Sequence, residues 1–474
     1  MKRLTLTTCL FFLLFTAFTQ QTHIGKEFWL GYGHHQFMEA GQNNSQDLYL
    51  IITTGEGDSA NVEVTIEKHK ETWVKTYKVA PNSVFRTDNV PKSGTYDPRL
   101  LTPPINFGGT GSVGKFNGLG IRVLSDIPIS LYSFYSGSAS TGASLLLPVE
   151  AWGTTYFSNN TAQQYVPNAY SYMYVIAKDD STVIDITPTV RIRNQSFNNI
   201  KPNIANRVTL NKGDIYQLLA ANMDSDSSGN GGTNSKGLEM TGTKIESTDP
   251  NKKIAVFSGS SRTLNPGSCG SGGGDNDMVQ LFPKEYWGLE YLTMPFLNSG
   301  NIGIKNTSTY KIVVADSTTI VTVNDSVLTD LQKGTYYTYE TREALKITGN
   351  KPIQVAQLMN GGACNNGLGD PDNIPLTPVN SGIRYSHIFN DFEGTWISTK
   401  YLSVLVHKDG LNTLSVNGVY NNFDSTYIHP KNNNYVVAIK KWKTSNSAKI
   451  SCELPVTGIF YGLGSVNSYG VNIG

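Results

Sequence analysis

Short runs of alternating or β-branched residues, bounded by Gly, Asp, Asn and Ser, fill the chain after about its first twenty residues. Representative runs are Leu48–Thr53, Val62–Ile66, Tyr174–Ala177, Ile312–Ala315 and Leu402–Val406. Runs of about four to eight residues that are separated by turn-forming residues are typical of strands in sandwiches and barrels. Helical periodicity is almost absent, so the pattern predicts an all-β fold.

The strand pattern also repeats along the chain. A hairpin near the end of each repeat places an Ile or Val at positions 129, 254, 353 and 456, in steps of 125, 99 and 103 residues. A step of about 100 residues suits a sandwich-sized unit and exceeds a propeller blade of roughly 40–50 residues. We therefore expect about four antiparallel β-sandwich-like modules packed in series, with a closed, propeller-like ring of β-modules as the alternative. The expected bounds are a signal peptide over 1–20 and modules over 22–157, 158–292, 293–390 and 391–474.

Two modules end with the same spacing, Pro-x-x-x-Trp-Gly-x-x-Tyr. The two copies are Pro148, Trp152, Gly153 and Tyr156, and Pro283, Trp287, Gly288 and Tyr291. A weaker copy between Pro378 and Tyr385 lacks the Trp and is one residue shorter. We expect these residues to be structural anchors: the proline ends a strand, the tryptophan packs over the module core, the glycine permits a tight turn and the tyrosine starts the next module.

Composition and the N-terminus point to export. Lys2 and Arg3 precede the apolar stretch Leu4–Phe18, which has the form of a secretory signal peptide and is too short to span a bilayer comfortably. No transmembrane segment is expected after it. A formal net charge of +1 supplies no field that would recruit nucleic acid. We expect a protein that is secreted or held at the cell surface.

The sequence predicts no catalytic residue and no cofactor other than a possible calcium ion. Two loops share the spacing Cys-x4-Gly-Asp-x-Asp, beginning at Cys269 and Cys364. Their acidic residues are Asp275, Asp277, Asp370 and Asp372. One interpretation is a pair of loops joined by a Cys269–Cys364 disulfide or held by calcium, which prefers several oxygen ligands from flexible loops. The other is inherited turn chemistry that needs no ion.

Several segments resemble the IgGFc-binding protein N-terminal domain family. They are Gly25–Phe28, Leu146–Tyr156, Glu239–Asp249, Ile254–Gly259 and Asp277–Tyr291. The resemblance covers roughly residues 25–470 and is specific in order and spacing. It implies a secreted bacterial member of that family and a binding module without enzymatic activity.

We therefore expect an adhesion or binding protein, not an enzyme, that recognises an extracellular glycoprotein, mucin or glycan and does not bind nucleic acid. The first alternative is a carbohydrate-active hydrolase on a β scaffold, which requires an acidic pair in a deep cleft with one raised pKa. The second alternative is a passive spacer within a larger surface protein, which predicts no ligand.

Overall fold

The structure is a computed structural model, and its strands pair antiparallel throughout the residues that it describes. This confirms the all-β prediction. Helix there is limited to short 3-10 turns at Gln36–Met38, Val149–Ala151, Lys284–Tyr286, Gly362–Cys364, Val379–Ser381 and Lys408–Thr413. The described residues are 23–39, 41–68, 71–101, 114–161, 163, 169–193, 200–225, 236–263, 267–268, 274–298, 301–389, 396–442 and 447–474. The predicted signal peptide lies outside them.

The first module is one sheet. Its strands are β1 (Ile24–Leu30), β2 (Asp47–Thr54), β3 (Ala60–Lys68), β4 (Glu71–Val79), β5 (Val84–Arg86), β7 (Ile121–Gly137) and β8 (Ser140–Leu146). The sheet order is β4-β3-β7-β2-β5, and β1 and β8 also pair with β7. A single long strand, β7, therefore connects every part of this module.

In the second module, the corresponding strands form two separate sheets. Its strands are β6 (Gly114–Phe116), β9 (Thr155–Phe157), β10 (Ser171–Ala177), β11 (Thr182–Thr187), β12 (Asn206–Leu210), β13 (Ile215–Leu219), β14 (Lys244–Ser247), β15 (Ile254–Ser260) and β16 (Val279–Gln280). One sheet runs β16-β15-β10-β13-β6 and the other β12-β11-β14-β9. The long strand of the first module is replaced here by the two shorter strands β14 and β15.

The third and fourth modules return to the single long strand. The third contains β17 (Gly288–Leu292), β18 (Ser308–Val314), β19 (Val321–Val323), β20 (Ser326–Val327), β21 (Tyr336–Thr341), β22 (Lys346–Met359) and β23 (Asp372–Pro375). The fourth contains β24 (Ile383–Ile388), β25 (Thr399–His407), β26 (Ser415–Val416), β27 (Val419–Tyr420), β28 (Ser425–Ile428), β29 (Tyr435–Trp442), β30 (Ala448–Gly464) and β31 (Asn467–Asn472). Their sheets run β20-β19-β22-β18-β21 and β27-β26-β30-β25-β29-β28, with β17 and β23 on β22, and β24 and β31 on β30.

The predicted repeat positions occupy one equivalent place in all four modules. These anchor residues are Ile129, Ile254, Ile353 and Val456, and each is at most 1% exposed. They lie opposite Gly25, Gly153, Gly288 and Ile383, respectively, the residues at which each module begins its first pairing. The same unit is therefore repeated four times, as the spacing predicted.

Each long strand changes partners at its anchor residue. Before the anchor, β7 pairs with β3 and most of β1, and after it β7 pairs with β2 and β8. The prolines that precede the anchors are Pro128, Pro250, Pro352 and Pro455. Proline cannot donate a backbone hydrogen bond, so a ladder is interrupted there and the strand turns into a second layer. In the second module the interruption is longer and the strand divides into β14 and β15.

The two complete copies of the closing spacing have nearly identical geometry. Pro148 and Pro283 each lead into a 3-10 turn that ends at the tryptophan. The hydroxyl of Tyr156 donates to the Ile254 carbonyl at 2.7 Å, and that of Tyr291 donates to the Ile353 carbonyl at 2.7 Å. Each tyrosine thereby ties the start of a module to the anchor residue of the same module.

The four modules follow one another in series, and the fourth also contacts the first, which closes the series into a ring. The inner strands β8, β16, β23 and β31 contact one another in this cyclic order. Gln280 accepts from the Leu147 amide at 2.8 Å, between the second and first modules. Thr141 donates to the Asn467 side chain at 2.7 Å, between the first and fourth. The alternative ring arrangement and the serial repeat are thus both present.

Three of the four junctions are apolar and one is partly ionic. The first and second modules share a core in which the Tyr174 and Phe257 rings stack at 4.7 Å. The third and fourth share a core through Tyr461, and the fourth and first share one around Phe389. Between the second and third modules, a small apolar cluster lies beside an ion pair of Lys311, which is buried, with Glu239. Burial of apolar surface between modules therefore holds the ring together.

We predict that Gly288→Ala destabilises the fold. A Cβ at this position would lie 2.3 Å from the Pro378 Cβ, and both groups are fixed by the backbone. The expected loss is about 1–3 kcal/mol in the free energy of unfolding, which is typical of overpacking. Denaturant titration measures it. The matched control is Gly55→Ala, where a Cβ meets nothing within 4 Å; equal stability of the two variants would contradict the prediction.

Candidate functional site

The four predicted aspartates come together near the ring axis. Asp275 and Asp277 precede β16, and Asp370 and Asp372 stand before and at the start of β23. Because β16 and β23 are inner strands, the loops that lead into them meet at the axis. All four residues, here called the axial cluster, are 3% exposed or less.

Protein donors surround the two aspartates of the second module. Asp275 accepts from the Ser140 hydroxyl, from the Asn276 amide at 2.7 Å and from the Thr141 amide at 3.2 Å. Asp277 accepts from the Thr161 hydroxyl at 2.7 Å and from the Ser260 amide. These bonds join the first and second modules at the axis.

The two aspartates of the third module differ in how many hydrogen bonds their carboxylates accept. Asp372 accepts from the Asn373 amide at 2.8 Å and from the Gly470 amide at 2.5 Å. Asp370 is 1% exposed, and one of its carboxylate oxygens, Oδ1, has no hydrogen-bond partner among the described residues. Asp370 is therefore the least compensated member of the cluster.

Burial raises the pKa of every carboxyl group in the cluster. For Asp275, burial is the main cause and the neighbouring Asp370 carboxylate raises its pKa further. Burial also raises the pKa of Asp370, against an opposing effect of Arg262, and that of Asp372. The pKa of Asp277 rises to about 6, again through burial, although hydrogen bonds from Thr161 and Ser260 lower it. The cluster disfavours its own ionisation at neutral pH.

The calcium interpretation gains no support from this arrangement. Among the described residues, no group of three or more His, Cys, Asp or Glu side chains is placed to hold a metal ion. Protein donors occupy oxygens that calcium would need as ligands. Calcium binding by Asp275, Asp277, Asp370 and Asp372 stays a prediction of the sequence.

The cysteines are only partly described. Cys364 is in a disulfide bond. Cys269, the predicted partner, lies outside the described residues, so the Cys269–Cys364 pairing stays a prediction. Cys452 is a free thiol buried in the fourth module.

The axial cluster offers a sugar little room. A central cavity lies between the inner strands, lined among others by Ala143, Gln280, Asn373 and Gly470. Its volume is about 10 Å³, which is room for about one water molecule. The cluster therefore has the raised pKa values that the hydrolase alternative requires, but this neighbouring cavity is not a deep cleft.

A much larger opening lies at the junction of the first and fourth modules. This cleft has a volume of about 690 Å³ and is lined by Glu56, Tyr385, Asn417, Gly418, Lys449 and Ser451. Glu56 follows β2 of the first module, and the other residues belong to the fourth. Pockets of about 300–1,000 Å³ commonly hold small ligands. The cleft is therefore a candidate binding site formed by residues of two modules.

Tyr385 lies in the cleft beside a serine that takes the inward position of its strand. Tyr291 lies opposite Ile347, six residues before its anchor, whereas Ser386 lies opposite Ile450, six residues before the anchor of the fourth module. Ser386 therefore occupies the inward position that Tyr291 has in the third module. Because strand side chains alternate between faces, the adjacent Tyr385 points to the opposite face.

The sequence analysis did not identify the cleft residues as a site. Glu56 and Lys449 are 393 positions apart in the chain, and only ring closure brings them together. The structure aligns Pro378 and Ser386 with Pro283 and Tyr291, so the closing spacing that the sequence analysis took as one residue shorter keeps its full length and carries a serine in place of the tyrosine. Tyr385 corresponds to Glu290 of the third module, and the repeat gave no signal for it.

Comparison with known proteins gives one match. A family model described as IgGFc binding protein matches residues 142–462. No curated protein matched the chain. In the part of the chain that the structure describes, every helix is too short and too polar to cross a membrane.

We predict that the axial cluster makes the protein less stable as pH rises. An unfolded aspartate has a pKa of about 3.9, below the value of about 6 for folded Asp277. Protonated Asp277 thus favours the folded state, and this contribution is lost as pH rises from about 4 through about 6. Asp277→Asn should raise the thermal midpoint at pH 8 and change it less at pH 4.

Asp316→Asn is the control for this measurement. Hydrogen bonds from Lys351 and Thr318 lower the pKa of exposed Asp316 to about 2, so its charge favours folding above about pH 4. The Asp316 variant should therefore show no gain at pH 8. A gain in both variants, or in neither, would contradict the assignment.

A calcium titration tests the remaining sequence prediction. If the four aspartates bind calcium, about 1 mM calcium raises the thermal midpoint at pH 7.5, and Asp370→Asn reduces the rise. Magnesium at the same concentration is the control. An unchanged midpoint with calcium would exclude the site.

Proposed function

This chain belongs to the IgGFc binding protein family, and we propose from that membership that it is an exported, non-catalytic protein that recognises an extracellular glycoprotein, mucin or glycan. The observation that carries the proposal is the family match over residues 142–462. The match begins in β8 of the first module and extends through the second and third modules into β30 of the fourth, so it concerns more than a single unit.

The construction of the ring supports a binding role. Modules share apolar cores at three junctions, and their inner strands are hydrogen-bonded across the axis. Such an arrangement keeps surface groups from different modules in fixed relative positions. A surface that is already ordered loses less conformational entropy when it binds.

The distribution of polar groups supports binding more than catalysis. The carboxyl groups with raised pKa values are buried in the axial cluster, beside a cavity of about 10 Å³. The large cleft instead pairs Glu56 with Lys449 at 3.7 Å. We therefore assign recognition to the outer surface of the ring.

The test is a binding screen with the full exported chain. Immobilised glycoproteins, mucins, antibody Fc and free glycans are presented together, and association is followed by biolayer interferometry. We expect saturable binding to at least one glycosylated probe, with heat-denatured protein as the control. Absence of binding to every probe would favour the passive spacer. Release of sugar from the probes during the assay would favour the hydrolase.

A further inference from the structure

We propose that the cleft between the first and fourth modules is a binding site for a neutral carbohydrate. The proposal rests on the binding function proposed above and assigns it to one place on the ring. The cleft is formed by the turn after β2 on one side and by the outward face of β24 and β30 and the turn between β26 and β27 on the other. It lies away from the axial cluster and uses none of its residues.

The charge of the cleft matches a neutral ligand. Within the described part of the chain, its lining contains one carboxylate, Glu56, and one ammonium group, Lys449, whose atoms are 3.7 Å apart. Their formal charges cancel, so an anion or a cation would gain one attraction and meet one repulsion. A sugar hydroxyl both donates and accepts hydrogen bonds, and it can serve a carboxylate and an ammonium group at once.

The Tyr385 hydroxyl supplies a further polar group without a partner. It is shielded from solvent and makes no hydrogen bond in the described part of the chain. Among the described residues, Glu56 is the first-module residue in the lining; its side chain is 81% exposed and forms an ion pair with Lys449. A ligand hydroxyl that reached Tyr385 would supply its missing bond.

The floor of the cleft continues into a row of hydroxyl-bearing residues. Tyr385 lies opposite Ser451, Ser451 opposite Ser415, and Ser415 opposite Tyr420. Directly opposed residues carry their side chains on the same face of the sheet. Tyr420 is 57% exposed at the outer end of this row. Ser415 is 2% exposed, and its hydroxyl lies 2.8 Å from that of Ser451, so the two serines bond each other. The tyrosines at the two ends of the row supply aromatic faces with polar tips, which suit a ligand with apolar ring faces and a polar edge.

Lipids and other long apolar ligands fit this surface poorly. Glu56, Asn417, Lys449 and Ser451 each place polar atoms in the lining. An apolar ligand would remove water from these groups and return no hydrogen bonds, which is unfavourable. A carbohydrate replaces the same water with hydroxyl groups.

Isothermal titration with a neutral oligosaccharide of hexose and N-acetylhexosamine units tests the site. We expect saturable binding by the full chain, and binding about tenfold weaker in Tyr385→Phe and in Glu56→Ala, as expected for loss of one buried hydrogen bond. Because Glu56 is 81% exposed, its variant folds normally even if the Tyr385 variant does not. The matched controls are Tyr435→Phe, a half-buried tyrosine near another glutamate, and Glu453→Ala, an exposed glutamate on β30.

Several results would overturn the inference. They are absence of binding to neutral oligosaccharides, stronger binding to sialylated or sulfated ones, and equal losses in the control variants. A second arm uses a captured glycoprotein before and after enzymatic removal of its glycans. Equal binding before and after, unaffected by Glu56→Ala, removes the carbohydrate site and leaves the proposed binding function intact. No binding in either form removes both.

Discussion

Proline, whose backbone nitrogen has no hydrogen to donate, determines how each module is built. Where a proline precedes the anchor residue, as Pro128 precedes Ile129, the sheet ladder is interrupted and the long strand changes partners. One strand thereby serves two layers, and the anchor side chain points into the core between them. The tyrosine hydroxyl that bonds the anchor carbonyl, at Tyr156 and Tyr291, then fixes the start of the module to this corner. Every other pairing in the module follows from that register.

Closing four such modules into a ring buries carboxyl groups at the centre, which costs free energy. The inner strands meet there, and the loops of the second and third modules carry four carboxyl groups into a space that excludes water. Burial raises their pKa values, so neutral pH acts against the packing that apolar junctions favour. Hydrogen bonds from Ser140, Thr161 and Gly470 offset part of this cost. The bonds from Ser140 and Gly470 also join neighbouring modules, so the cluster contributes to the order of the ring as well as opposing its stability.

Repetition also explains where the ring can carry a specific surface. A position that holds a core tyrosine in one module holds a serine in the next, at the same register, and a tyrosine at the neighbouring outward position is available for another role. Tyr291 closes the third module, whereas Ser386 takes that place in the fourth and Tyr385 turns outward. The junction of the first and fourth modules is also the point at which the two ends of the repeat meet. A cleft that depends on both features occurs once, although the unit that forms it occurs four times.

The sequence by itself determined the all-β class, the fourfold repeat and the equivalence of positions 129, 254, 353 and 456, because strand alternation, turn residues and prolines act locally. It also placed Asp275 and Asp370 at equivalent points of two modules. Burial of those carboxyl groups and the meeting of Glu56 with Lys449 came only from tertiary structure. Both depend on contacts between modules that are hundreds of residues apart in the chain. The outward position of Tyr385 depends on strand register, which places Ser386 where the third module has Tyr291 and which pairing alone reveals.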